Sequence, residues 1–394
     1  MMGGHATRAH SLLSPSSAHR WMICTPSAKL DAQYPDEEAV AAREGTLAHE
    51  LAEQKLKAYF YPAEVSKRKL SSFITKCKKD ELWDDEMLEH TDTYVEHIKD
   101  ISLQYDSAPY VVPERSYDLS KYIPEEGAHG TADCVMIQGG DLHVFDFKYG
   151  KGVKVSAVTN FQMQLYALGA YEAYKLAYAI RNVHLHIIQP RIDNFSDWSL
   201  SISDLLQFGE LVKQKAAMAI AGTGDYRPGA DTCRFCRARA VCRARAEYNV
   251  ELAFYANKKP DTLTPAEIGD YLTKGADVAK WLEDVKSYAL NECLAGREIP
   301  GYKAVEGRGS RDWTDMDAAF NVLNAEGYPD TVLYEKKALT LAQVEKLVGK
   351  KDFADLVGGY VVKNPGKPAL VAESDKREAI TNKVSATDVF KKEE

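Results

Sequence analysis

Asp133 closes the segment Gly130-Thr131-Ala132-Asp133, and Asp146-Phe147-Lys148 follows thirteen residues later. Both aspartates fall in segments that read as neighbouring strands. Thr131 to Ile137 and Leu142 to Phe147 flank Gln138-Gly139-Gly140-Asp141, a hairpin turn by composition. Counted back from the turn, the two carboxylates come to adjacent positions near one end of a sheet. Lys148, two residues past Asp146, points to the same face. Two carboxylates and a lysine on one face suit hydrolysis of a phosphodiester. The carboxylates hold a hard cation such as Mg²⁺ through oxygen. The metal polarises the phosphate and lowers the pKa of a bound water, and the lysine orients that water or offsets developing charge. The pattern is short, and by itself it describes equally well two aspartates at a turn with Lys148 pairing one of them.

Other residues can join this centre. His49, in Gly45-Thr46-Leu47-Ala48-His49 on an early helix, can supply a nitrogen to a metal or sit as an ordinary helical histidine. Glu114, at the end of the segment Tyr110 to Glu114, can add a third carboxylate. Gln162 and Tyr166 are spaced i, i+4 and so share a helix face, from which they can reach a phosphate or a base.

Three of the 7 cysteines crowd into Cys233-x2-Cys236-x5-Cys242. Close thiolate spacing marks a metal site, and three ligands are one short of the four that zinc or an iron–sulfur cluster takes. Cys24, Cys77, Cys134 and Cys293 are the candidates for the fourth. Cys134 reads as core, and Cys77 and Cys293 fit structural roles. Cys24, ending the first helix before Thr25-Pro26, stands at a natural exposed corner. Pairing it with the late trio would close a loop of about 200 residues and remove much unfolded-state entropy.

The elements that must position these groups follow from pattern and punctuation. Ser14-Pro15 starts a helix running to about Cys24, and 44–58 and 84–104 read as helices. Three strands follow (110–114, 131–137 and 142–147), then a helix over 156–180, a strand over 183–189 and a helix over 203–221. That order predicts an α/β core with a small mixed central sheet flanked by helices. The remainder, 255–394, reads as a mainly helical region with its boundary near 250–260, although the helix expected over 264–295 could still pack on the core. The 394 residues allow two to three domains, and 45% hydrophobic with 27% charged residues excludes a disordered or fibrous chain. No apolar run is long enough for a membrane span. The first ten residues hold no signal-peptide core and read as a mobile tail, which points to the cytoplasm. A net charge of −8 excludes bulk basic coating of nucleic acid, so any contact must come from a local patch. Arg234, Arg237, Arg239, Arg243 and Arg245 form one such patch, gripping phosphates or balancing a thiolate cluster. The Lys-rich run 67–79 reads as a solvated loop, Gly307 to Arg311 suggests a phosphate loop, and Trp313 belongs to a small core.

Taken in chain order, these pieces resemble the PD-(D/E)XK nuclease superfamily, and within it the RecB-like branch with an iron–sulfur cluster, which includes the AddB nuclease domain. The matching features are Cys24 with Pro26, Gly45 with His49, Gly130 with Asp133, Asp146 with Lys148, Gln162 with Tyr166, and the cysteine trio. D-x-K stands here for the commoner E-x-K. The resemblance covers about residues 11–245 and implies a restriction-endonuclease-like fold. It implies that His49, Asp133, Asp146 and the Phe147 carbonyl ligate Mg²⁺ or Mn²⁺, with Lys148, Gln162 and Tyr166 completing the catalytic site. It also implies that Cys24, Cys233, Cys236 and Cys242 hold a 4Fe–4S cluster. The chain is similar as well to a phage and prophage family without an assigned function, in which Gly366-Lys367-Pro368 and Asp375-Lys376-Arg377 recur. The expected activity is a metal-dependent DNA exonuclease in phage recombination, replication or end processing in a bacterial host. Its partners would be single-stranded or end-bearing duplex DNA and a phage single-strand-binding or annealing protein. The rival readings are a DNA- or partner-binding module that cuts little and a zinc-stabilised structural protein.

Overall fold

The computed structural model describes residues 11–35, 40–254, 264–306, 314–325, 329, 333–334 and 339–362. The expectations on residues 1–10, 307–311, 366–368 and 375–377 and on Trp313 fall outside them.

The chain divides into two compact units, Met1–Val305 and Glu306–Glu394. The division comes later than the 250–260 expected from composition. Helix α10 (Pro265–Leu294), started by the Thr264–Glu267 capping box, belongs to the first unit. It receives Arg239 on Asp284 at 2.9 Å and Arg245 on Asp277. The second unit contains the helices Met316–Ala325, Leu341–Val348 and Lys350–Val357.

The first unit is built on a five-stranded sheet of order β1-β2-β3-β4-β5. The strands are β1 (Tyr110–Asp118), β2 (His129–Gln138), β3 (Asp141–Phe147), β4 (Asn182–Gln189) and β5 (Asn194–Ser201). Only β3 and β4 pair in parallel, because α6 (Phe161–Tyr174) crosses between them. The expected mixed α/β architecture holds, with one more strand than expected. β5, Asn-Phe-Ser-Asp-Trp-Ser-Leu-Ser, is an edge strand with few buried residues, so its apolar signal is thin. It folds back on β4 through Pro190–Ile192 and Asp193, whose φ of 50° places it in the left-handed region that aspartate tolerates.

Helices cover both faces. Val135, Ile137, Leu142 and Val144 face α6 and α7 (Ile202–Ala221), which contribute Leu165, Leu168, Val212 and Ala216. Cys134, Met136, Phe145 and Phe147 face α3 (Val40–Phe60) and α5 (Glu86–Ser102), which contribute Leu51, Leu56, Tyr94 and Ile98. Alternate residues therefore enter different cores, and the central strands read as nearly continuous apolar runs. Each such side chain contributes about 1.5–3 kcal/mol on burial.

Local details shift several expected boundaries. The Lys-rich run forms helix α4 (Lys67–Cys77) rather than a loop. Ser66 caps it by accepting from Lys69 N–H, and Phe73, Ile74 and Cys77 pack against the α3/α5 core while the lysines stay outside. The first expected helix is broken into a 3₁₀ turn (Pro15–Ser17) and α1 (Ala18–Trp21), and a further short helix, α2 (Ser27–Asp31), follows Pro26. Helix α6 is shorter than expected, because Asn160 caps its start by accepting from Met163 N–H and Thr159 has left helical space at φ 53°.

Glu172 secures α6 against the segment after β1. It accepts from Lys121 at 2.6 Å, Tyr122 at 2.9 Å and Lys175 at 2.5 Å. Burial opposes its charge, but these donors more than offset that and pull its pKa down to about 2. A depressed folded-state pKa gives stability that is present above the unfolded value and lost as pH falls through the folded one. Glu172→Gln is therefore expected to lower stability at pH 7 by about 1–2 kcal/mol after allowance for solvent screening. Chemical denaturation at several pH values should show the difference from wild type vanishing between pH 4.5 and about 2.

Candidate functional site

The ladder between β2 and β3 ends at Cys134–Phe145, and the next step places Asp133 opposite Asp146 at the end of the sheet. The hairpin count in the sequence is borne out here. Asp133 accepts from the backbone N–H of Phe147 at 2.8 Å, so the strand end itself orients this carboxylate. His49 Nδ1 lies 3.0 Å from the other oxygen of Asp133, brought there by α3. Asp146 is 2% exposed. Lys148 Nζ lies 3.1 Å from its Oδ1 and 3.0 Å from its Oδ2. The second contact lacks hydrogen-bond geometry, which leaves Oδ2 a buried acceptor with no hydrogen-bond partner.

The Q-x-x-x-Y face of α6 reaches the same place. Lys148 donates to Gln162 Oε1 at 3.4 Å, and Gln162 Nε2 donates to the Tyr166 hydroxyl at 2.8 Å. The G-x-x-D and Q-x-x-x-Y motifs meet physically. A Cβ on Gly130 would lie 2.9 Å from Tyr166 Cε1 and 2.8 Å from Pro15 Cγ. Gly130 is thus required by close approach rather than by a turn. Gly130→Ala is expected to cost about 1–3 kcal/mol through overpacking and to displace the Tyr166 ring. Thermal unfolding measures the first effect, and the loss of Tyr166-centred NOEs measures the second. Gly45 has open space around it, and no such requirement explains it.

Electrostatics follow from this packing. Burial opposes charge on Asp133, yet the His49 imidazole and Lys148 more than offset it and hold its carboxyl below the usual range. Burial pushes Asp146 up against the pull of Lys148, with Asp133 adding to the rise. His49 is raised because Asp133 outweighs the burial that disfavours its proton. Lys148 is raised for the same kind of reason, Asp146 outweighing burial.

The sequence left open whether Glu114 joins this site. In the β1–β2 register it falls between Pro113–Cys134 and Arg115–Ala132, opposite Asp133. Its φ of 35° is uncommon for a residue with a side chain. It shares a hydrogen bond with Glu53, and burial followed by Glu53 pushes its carboxyl up. Glu53 was missed in the sequence. Its only signal is its place one turn past His49 on α3, which puts both on one helical face.

The cysteines form a second assembly. Cys24, Cys233, Cys236 and Cys242 line one small cavity together with Tyr226, Pro228 and Thr232. Cys24 is buried rather than at an exposed corner. Its thiol accepts from Arg227 N–H at 3.4 Å. Cys77 and Cys134 are buried elsewhere and Cys293 lies on α10, as expected for structural residues. Most of the arginines are engaged with carboxylates. Arg237 donates through Nε and Nη2 to one oxygen of Asp31 at 2.9 and 2.7 Å, and Arg234 meets Asp231 at 3.2 Å. With the Arg239 and Arg245 pairs to α10, they brace the loop, and only Arg243 is an exposed side chain.

An open cleft of about 1050 Å³ runs from Lys148 and Gln162 to the loop that carries the cysteines. Lys148 and Gln162 line one part of it, Ser156, Asn160 and Lys154 another, and Arg234, Phe235 and His19 the part near the cysteines. Its acids are already matched. Asp31 meets Arg20 and Arg237, and Glu125 accepts from Ser11 and the backbone N–H groups of Leu12 and Leu13.

Fold and site together define the class: an α/β/α protein that gathers carboxylate, imidazole and ammonium groups at one end of a mixed sheet. The chain belongs to the DUF2800 family, described as a protein of unknown function, whose model matches residues 10–378. Among solved structures it is similar to one titled "Crystal structure of SSO0001", with 14% identity over 56% of this chain and 95% of that chain at a TM-score of 0.23. A score that low carries no argument. Among the described residues, no helix is long and apolar enough to cross a membrane.

Proposed function

We propose that this chain is a metal-dependent DNA nuclease of PD-(D/E)XK type. It would hydrolyse phosphodiester bonds as an exonuclease at DNA ends during phage recombination, replication or end processing in the host cytoplasm. The observation that carries the reading is Asp133 opposite Asp146, with His49, Lys148 and Gln162 converging on them. The buried Oδ2 of Asp146, without a hydrogen bond and with only the Lys148 ammonium at 3.0 Å beside it, fits a cation better than it fits an apolar core. Asp133, Asp146 and His49, with the Phe147 carbonyl, would hold Mg²⁺ or Mn²⁺. When bound, the ion supplies polarisation of the scissile phosphate and a water acidic enough to attack near neutral pH.

The protein's own groups do the rest. Lys148, held between Asp146 and Gln162, would act as a positive donor to a phosphate or leaving oxygen, or orient the attacking water. Gln162 holds that ammonium from one side and is itself held by Tyr166. The cleft, with its acids neutralised internally, accepts a DNA strand despite the net charge of −8. The cavity lined by four cysteine thiols suits a 4Fe–4S cluster of mainly structural role.

The test is end-labelled linear DNA, single- and double-stranded, incubated with anaerobically purified protein and Mg²⁺ or Mn²⁺. Stepwise shortening is expected. Intact substrate under every combination overturns the nuclease reading, and retained binding in that case identifies a binding module.

A further inference from the structure

A second cluster of metal-ligating side chains lies on the opposite face of the sheet from Asp146. His97 on α5, His186 on β4 and Asp197 on β5 bring one ligand atom each within 4.8 Å of one another. His186 and Asp197 are direct cross-strand partners, with Nδ1 to Oδ1 at 2.6 Å. His97 Nε2 is buried and has no hydrogen-bond partner. Its ring is held in place by stacking on Phe195, with centroids 5.6 Å apart.

Behind this trio runs a polar relay. His186 Nε2 lies 3.0 Å from His143 Nδ1, and His143 Nε2 lies 2.6 Å from the Tyr105 hydroxyl, which donates to Asp141 at 3.3 Å. Asp197 and His186 share a proton across the 2.6 Å contact in the metal-free protein, and a cation bound there would take that proton's place. His186 would then present Nδ1 to the cation and donate through Nε2 to His143 Nδ1. A ligand histidine whose outer nitrogen donates to a fixed acceptor is the usual second shell of a metal site.

We propose that His97, His186 and Asp197 form a binding site for one borderline divalent cation, zinc foremost. Two imidazoles and a carboxylate make a three-ligand set with the fourth position open. The open side gives onto a cleft of about 690 Å³ lined by Asp85, Glu89, Asp92, Glu96 and Asp100, a field that concentrates cations. Lys55 and Lys99 offset Asp92 and Glu96. The bound ion would tie α5 to the edge hairpin β4–β5.

The experiment uses the full chain with its cysteine site loaded and excess Mg²⁺ present. Equilibrium dialysis against Zn²⁺ is compared for wild type, Asp197→Asn and His97→Gln. Asp197 is 60% exposed at its side chain, so its replacement leaves the core intact. One zinc equivalent is expected in wild type. X-ray absorption should show nitrogen and oxygen neighbours without sulfur, and each variant should bind about a hundredfold more weakly or worse. Equal zinc binding by wild type and variants, or sulfur in the zinc shell, overturns the proposal. Because neither variant touches the Asp133–Asp146 centre, DNA cleavage and iron content are expected to be unchanged. The outcome is thus separable from the fate of the nuclease reading.

Discussion

Asp146→Asn is expected to abolish metal-dependent DNA cleavage, with a loss of about a thousandfold or more, the scale of removing a group that stabilises charge in the transition state. The substitution keeps the shape of a side chain that is 2% exposed and keeps an oxygen toward Lys148, so the fold should survive. It removes the charge that holds a cation together with Asp133. It also relieves the cost of burying that charge beside Asp133, the two causes that raise the pKa of Asp146. Without added metal, the melting temperature should therefore stay close to that of wild type. The stabilisation conferred on wild type by Mn²⁺ or Mg²⁺ should disappear in the variant, since a ligand that binds only the folded state raises stability by mass action. Wild-type cleavage rates in the folded variant would remove Asp146 from the chemistry. A variant that fails to fold would instead give a collapsed near-UV spectrum, and Lys148→Met would then carry the test.

Cys236→Ser is expected to have the largest effect on stability. Anaerobically isolated wild type should be brown, with about four iron and four labile sulfide per chain, and the variant should lose most of that iron. Cys24 and Cys236 are separated by about 200 residues, and the loop-closure estimate for a link of that span is on the order of 5 kcal/mol. That is comparable with the whole stability of an average domain. Cys77→Ser, outside the shared cavity, should leave iron content unchanged. A colourless wild type that carries zinc in the same cavity would remove the cluster and leave the structural staple.

Much of the site was legible because short-range counting decides it. The turn at Gln138–Asp141 sets the register, and the register sets Asp133 against Asp146. Gln162 and Tyr166 follow from helical spacing in the same way. What the sequence hid lies at longer range or in weaker chemistry. Glu53 is one glutamate among several on α3, and only the fold brings it to Glu114. His97, His186 and Asp197 sit on three separate elements, and one of these, β5, is a polar edge strand with few buried residues to mark it. Helix α4 was hidden by its basic residues, Lys67, Arg68, Lys69 and Lys76, which dominate its composition and leave little apolar period. The later unit boundary was hidden because α10 is held by ion pairs, which no hydrophobic period reveals.

The segment from Ser11 to Asp31 leaves the ribosome before the sheet does, yet several of its partners come late. Ser11, Leu12 and Leu13 wait for Glu125, Thr25 for Thr223, Arg20 for the Phe235 carbonyl and Asp31 for Arg237. A nascent chain that has emitted all five strands holds Glu125 but still lacks Thr223, Phe235 and Arg237. The contacts of Arg20 and Asp31, closed across 215 and 206 residues, form slowly and only after synthesis has reached the cysteine loop. Until α7 is made, Trp21 and Met22 lack part of the core they fill in the finished molecule.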